Sequence, residues 1–132
     1  MNTLSAVITN IHRSGAIVLV DTLVESTPMS ALLIVTDDYP VWLQPQLHIT
    51  LICKETEVIL AKHLKGFISI RNKLSCTVRN IIKSEILCTV YLQSGSIELS
   101  SIISERALHT LDLDVGDYVD AYIQMNEISI MP

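Results

Sequence analysis

Aromatic residues are scarce in this sequence: one Trp, one Phe and four Tyr make up 5% of 132 residues. The hydrophobic share of 49% must therefore come mostly from aliphatic side chains. Charge is scarce too, at 17%, and mean hydropathy is +0.44. That combination excludes an intrinsically disordered chain, which needs low hydrophobicity and high charge. No run approaches the roughly 18 uncharged apolar residues of a membrane helix. The most apolar stretches, 16–20 and 31–35, are strand-sized. Basic residues are in deficit, nine Lys+Arg against 14 Asp+Glu, for a net charge of −5. Duplex nucleic-acid binding calls for a basic footprint, and none is present. The amino terminus lacks the basic and apolar regions of a signal peptide, so the expectation is a protein that is not exported. Cys53, Cys76 and Cys88 form an odd set without CxxC spacing, which fits buried, reduced thiols in a cytoplasmic protein. His12, His48, His63 and His109 pair with no cysteine at a ligand spacing, which argues against structural zinc. A small aliphatic β protein remains.

What the chain does have is an internal repeat. Displaced by 70 residues, Asn2, Leu4 and Ser5 fall on Asn72, Leu74 and Ser75, and Asn10-Ile11 falls on Asn80-Ile81. The register runs to the end without a gap. Ser30 meets Ser100, Leu43 meets Leu113, and Glu57 meets Glu127. Identities number 11 in 61 aligned pairs, and most apolar positions fall on apolar positions. The chain is two copies of a unit of about 60 residues, with expected domains at 1–66 and 67–132.

Each unit has the pattern of short strands. Residues 4–11 and 74–81 mix β-branched and polar side chains, and 16–24 and 86–93 follow after polar turns. Ser94-Gly95-Ser96 is expected as a hairpin turn into 97–103, with Glu25-Ser26-Thr27-Pro28 as its counterpart. Residues 118–124 alternate as a half-buried strand should. A final strand at 127–130, and its equivalent at 57–60, is expected to close its own unit. Residues 104–111 depart from this pattern: Ser104 is a plausible N-cap, Glu105 an acidic first-turn residue, and Ala107, Leu108 and Leu111 have helical spacing. In unit one, Asp37 or Asp38 is expected to cap a turn near Pro40. Five strands and a short helix per unit predict an all-β chain of two tandem small OB-like Greek-key β-barrels, joined by a linker at 61–66.

Several segments carry a resemblance. Ser69-Ile70-Arg71-Asn72-Lys73-Leu74 resembles the Ser-Ala-Arg-Asn-Gln-Leu opening of the molbindin family, the Mop or TOBE domain. Cys53-Lys54-Glu55-Thr56-Glu57-Val58 is similar to its closing Ile-Lys-Ala-Thr-Glu-Val strand, and the stretch 111–119 to its Leu-Gly-Leu…Gly-Asp-x-Val segment. The resemblance covers essentially the whole chain as two tandem domains. It implies an OB-like barrel that binds molybdate or tungstate at contacts between domains or subunits. It also implies a cytoplasmic storage protein, a transporter-ATPase tail or a sensor half of a repressor. The expected ligand is thus a molybdate or tungstate oxyanion, with no organic cofactor and no cation held by side chains. A homo-oligomer, a dimer or trimer of di-domains, is expected, with a transporter or regulator as a further partner. Nucleic-acid binding and membrane insertion are not.

The residues suit that chemistry. A tetrahedral dianion needs convergent N–H and O–H donors and a cation or two. Ser69 offers a hydroxyl, Arg71 a rigid fork and Lys54 a point charge; backbone N–H groups of Ile70 and Glu55 complete the shell that the family pattern implies. Ser104 falls where the family places a Thr hydroxyl at a helix start. The expected site joins Ser69, Arg71 and Ser104 of unit two to Lys54 of unit one. The repeat also departs from the family: unit one has no Ser-x-Arg before Asn2, Gln124 stands where unit one has Lys54, and Gln46-Leu47 replaces Gly-Asp. These departures keep open a second reading, a TOBE-type regulatory or oligomerisation module that no longer binds anion. Tyr118 and Tyr122 on one strand allow a base-stacking platform, but barrel packing is the plainer expectation. Packing or an interface is likewise expected for Trp42, rather than a binding role. Asp112, Asp114, Asp117 and Asp120 lack a calcium-loop pattern. No nucleophile, acid–base pair or phosphate loop occurs at a usable spacing, so no enzyme is expected.

Overall fold

A computed structural model of the chain describes residues 1–36 and 40–132. Ten strands are laid down in order: β1 Asn2–Ser14, β2 Ile17–Val24, β3 Thr27–Ile34, β4 His48–Cys53, β5 Ile59–Ala61, β6 Lys73–Lys83, β7 Leu87–Ser94, β8 Ile97–Ser104, β9 Tyr118–Tyr122 and β10 Ser129–Met131. One α-helix, α1 at Glu105–Leu111, follows β8, and short 3-10 turns at Glu55–Glu57 and Met125–Glu127 precede β5 and β10. Alternation explains the strands. Leu4, Ala6 and Ile8 of β1 and Val18, Val20 and Val24 of β2 face the core while their neighbours face outward. The hairpin loops are shorter than expected in unit one: Val24 pairs with Thr27, so only Glu25 and Ser26 turn, and Thr27-Pro28 already belongs to β3. Glu25 takes the left-handed conformation (φ 54) that Gly95 takes in unit two (φ 60), as such two-residue turns require. β1 and β6 each carry a bulge at Asn10 and Asn80, whose side-chain oxygens accept the next residue's N–H at 2.9 Å. The turn expected at Asp37, Asp38 and Pro40 falls on residues 37–39, outside the described residues.

The strands form two antiparallel sheets, ordered β10-β4-β1-β2-β3 and β5-β9-β6-β7-β8. Here the expectation that each final strand closes its own unit is corrected. β10, from the second half, pairs with β4, and β5, from the first half, pairs with β9. The closing strands also start later than expected, because Glu57 and Glu127 are spent in the 3-10 turns. Each turn carries the chain across to the opposite sheet, so neither sheet is made from one half alone.

Two buried asparagines hold this exchange in place. The Asn2 amide donates to the Ser100 carbonyl and accepts the Ser100 N–H, both at 2.8 Å. Asn72 does the same to Ser30 at the same distances. Each side chain thus acts like one more residue of backbone ladder, laid against β8 or β3 of the other half. A third link is not duplicated: the buried Ser101 hydroxyl donates to the Val58 carbonyl at 2.6 Å, while its repeat partner is Ala31. Buried side chains from both halves make one contiguous core. The connecting stretch is tied down as well, since Lys62 donates to the Asp112 carbonyl (2.6 Å) and to Asp117 (3.0 Å).

Two tests follow from these contacts. Asn72→Ala leaves the Ser30 N–H and carbonyl without partners at a half-buried contact, which should cost about 3 kcal/mol in urea unfolding. A loss below about 0.5 kcal/mol, within the range of an ordinary surface change, would show that the bridge is idle. Cys76 is buried on β6, paired with Val119 of β9, and burial first and Asp120 second push its thiol up to about 12 from 9.0. The unfolded chain ionises first, so this contribution to stability is intact below pH 9 and disappears between pH 9.0 and about 12. Alkylation of Cys76 at pH 8 should require unfolding; prompt labelling of the folded protein would contradict the burial.

Candidate anion site

Three of the expected residues come together. The segment before β6 carries Ser69, Ile70 and Arg71 along one wall of a cavity of about 150 Å³. Asn72, Gln124 and Met125 add to that wall, and Leu19 and Ser30 close it from the other half. The Ile123 N–H donates to the Asn72 carbonyl at 3.2 Å, which draws the turn after β9 against the entry to β6 and sets Gln124 beside Arg71. Ser30 contributes little as a donor. Its hydroxyl donates to Asp21 at 2.7 Å, and both its backbone groups are held by Asn72. Arg71 makes no ion pair among the described residues. The available donors are therefore the Ser69 hydroxyl, the Arg71 fork and the Gln124 amide, set against apolar walls of Leu19, Ile70 and Met125.

Lys54, Glu55 and Ser104 lie elsewhere. Lys54 lines a separate cavity of about 220 Å³ with Met1, Glu57, Glu127 and Ser129. Its backbone N–H donates to Glu57 at 2.7 Å. Glu55 pairs with the Met1 amino group, whose hydrogen bond holds the carboxyl below its usual range. Glu57 and Glu127, equivalent in the repeat, both line this cavity. Interaction between the two carboxyls pushes Glu127 up and Glu57 down. Ser104 is the N-cap of α1, its Oγ accepting the Ala107 N–H at 3.0 Å. The grouping of Ser69, Arg71, Ser104 and Lys54 is thus not formed within one chain. The repeat explains why: each unit's entry segment lies beside its own residue at position 54 or 124, so Ser69 and Arg71 face Gln124.

Sequence reasoning did not place Leu19, Ser30, Asn72 or Met125 at this cavity. The signal for two of them was present, because Asn2/Asn72 and Ser30/Ser100 are both identities of the repeat. Tyr118 and Tyr122 do not form a platform: Tyr122 is 6% exposed and Tyr118 79%. Trp42 packs against the core as expected. Among the described residues no group of three or more His, Cys, Asp or Glu is placed to hold a metal ion, and no helix is long and apolar enough to cross a membrane.

Ten antiparallel strands in two strand-exchanging sheets, with an anion-sized cavity between the halves, define a tandem pair of small OB-like barrels. Comparison with known proteins extends this. The TOBE domain family matches residues 68–130. A molybdate-binding protein from Sporomusa ovata is 31% identical, and this chain covers 100% of it, using 51% of its own length, with a TM-score of 0.50. The chain belongs to this family of TOBE, molbindin-like proteins. The cytoplasmic molybdate-binding protein ModG, solved with molybdate bound, shares the fold over 98% of this chain and 94% of its own, with a TM-score of 0.93 and 20% identity. Comparison with curated protein sequences gives no match.

The opposed shifts of these two carboxyls have a measurable consequence. Glu127, raised, contributes stability below the ordinary carboxylate range that is lost as pH rises through its folded pKa; Glu57, lowered, contributes above that range and loses it as pH falls. Glu127→Gln keeps a donor to Glu57 and should remove the loss on the alkaline side of pH 4.5. Melting temperature against pH, compared between the two proteins, reads this directly, and parallel curves would mean that the two carboxyls do not interact.

Proposed function

We propose that this chain is a non-enzymatic oxyanion binder that takes molybdate or tungstate in the cytoplasm, for storage, homeostasis or sensing. The observation that carries the reading is the 150 Å³ cavity walled by Ser69, Ile70, Arg71 and Gln124. The family relation supports it, since the Sporomusa protein binds molybdate. Ser69 and Gln124 donate hydrogen bonds to the oxyanion, Arg71 supplies the charge-assisted fork, and the Ile70 N–H completes the shell. Sulfate has the same charge and shape, so selection rests on cavity size and donor number. The units that act are 1–66 and 67–132.

Lys54 is remote from this cavity within one chain, so the fuller site forms in a homo-oligomer, a dimer or trimer. There Lys54 and Glu55 of one copy, and Ser104, approach Ser69 and Arg71 of another. Small barrels also gain by burying surface together. A transporter or regulator that receives the anion is the natural partner. One observation favours the second reading, a module that no longer binds anion: Gln124 leaves Arg71 as the only cation lining the cavity.

Ligand that binds only the folded state raises stability by mass action, about 2.7 kcal/mol at a hundredfold excess over Kd. Molybdate and tungstate should therefore raise the melting temperature, sulfate should do so less, and Arg71→Ala should abolish the response. Lys54→Ala should weaken it only in the oligomer. No response to millimolar molybdate, or an undiminished response in Arg71→Ala, would leave the structural module as the better account.

A further inference from the structure

A second polar cleft opens beside the cavity, on the far side of Arg71. It measures about 440 Å³ and lies between the β2–β3 loop and the outer face of β6, lined by Arg71, Lys73, Ser26, Thr27, Ser75 and Ser94. Arg71 and Lys73 are two residues apart in an extended segment, so both face outward while Asn72 between them is buried. Neither makes an ion pair among the described residues. In an acidic chain with nine basic residues, two unpaired cations converging on a cleft with four hydroxyls is a marked local departure.

The repeat provides an internal control. The equivalent cleft, of about 380 Å³ between the β7–β8 loop and β1, is lined by Thr3, Ser5, Glu25, Ser96 and Glu98. Thr3 stands there for Lys73, Ser5 for Ser75, Ser96 for Ser26 and Glu98 for Pro28. The fold is the same and the charge is opposite, so the cations are not needed to build the cleft. The one carboxylate of the β2–β3 loop, Glu25, turns away and accepts the Ser96 hydroxyl. On the basic side the Asp120 carboxylate accepts the Ser75 hydroxyl at 3.1 Å. That contact fixes Ser75 and leaves Ser26, Thr27 and Ser94 as the donors.

We infer that this cleft binds a small molecule through a diphosphate or phosphomonoester group. The Arg71 fork and the Lys73 point charge would meet the phosphate oxygens, and the hydroxyls would take the remaining ones. The cleft's volume exceeds that of the neighbouring cavity about threefold, which suits a ligand larger than a single oxyanion. Arg71 lines both spaces, so a ligand in the cleft and an oxyanion in the cavity compete for one guanidinium. Each then weakens the other by the same factor. This coupling, unlike the cleft itself, rests on the oxyanion reading given above.

Calorimetric titration of the full chain with inorganic pyrophosphate at low ionic strength tests the site. Binding should weaken about tenfold in Lys73→Ala, which removes one charge-assisted contact, and remain unchanged in Thr3→Ala, which lines only the equivalent cleft of the other unit. Saturating molybdate should weaken pyrophosphate binding in the wild type. Absence of pyrophosphate binding, or equal binding in Lys73→Ala, overturns the proposal. So does tighter binding of a short single-stranded oligonucleotide than of pyrophosphate, since that would make the cleft a backbone track. Silent molybdate titrations with Lys73-dependent pyrophosphate binding would remove the oxyanion reading and leave the cleft standing.

Discussion

Everything in this molecule depends on two asparagine amides buried between the halves. A primary amide presents an N–H and a C=O on the same side, as one residue of an extended strand does, so it can extend a sheet by one rung. Asn2 and Asn72 do that across the repeat, to Ser100 and Ser30. Because a buried, half-paired amide is costly, the two bridges hold each half in one register against the other. The closing strands then have a defined edge to reach: β10 lies on β4, and β5 on β9. An independent barrel of about 60 residues would bury little surface. Exchanging strands lets the two share one core without a long connection.

The same constraint accounts for what could be seen in the sequence. Strand existence, the helix at 105–111 and the duplication were legible, because alternation, an N-cap and a fixed offset are local signals. The identities of the repeat mark structural nodes: Leu4/Leu74 in the core, Asn10/Asn80 at the bulges, Asn2/Asn72 at the bridges. Which sheet a final strand joins was not legible. Residues 59–61 and 129–131 have the same local pattern in either pairing, and only the 3-10 turns decide the direction. For the same reason Ser69 and Arg71 could be named as candidates while their neighbour Leu19 could not. It comes from the other half, through a contact that no spacing encodes.

Lys62 shows how little of the polar surface is incidental. It ties the connecting stretch to the turn that starts β9, and the Asp117 carboxylate it meets already accepts the Asp114 N–H at 2.9 Å. That backbone hydrogen bond, and then Lys62, hold Asp117 below the usual carboxylate range. The anionic form is therefore the one the fold requires. The connection from β5 to β6, within one sheet, is clamped at both ends, by Lys62 and by Asn72.

Duplication with exchange also frees the repeat to diverge in chemistry while its geometry is held. Position 54/124 is a cation in one unit and an amide in the other, and position 3/73 is Thr in one and Lys in the other. In the second unit both positions, 124 and 73, sit on surfaces around segment 69–73. Cation placement is thus uncoupled from the core, where Leu and Val fill equivalent positions in both units. An acidic chain can then set two cations, Arg71 and Lys73, beside each other in one unit where the other unit has Met1 and Thr3. Arg71 lines both the smaller cavity and the larger cleft there.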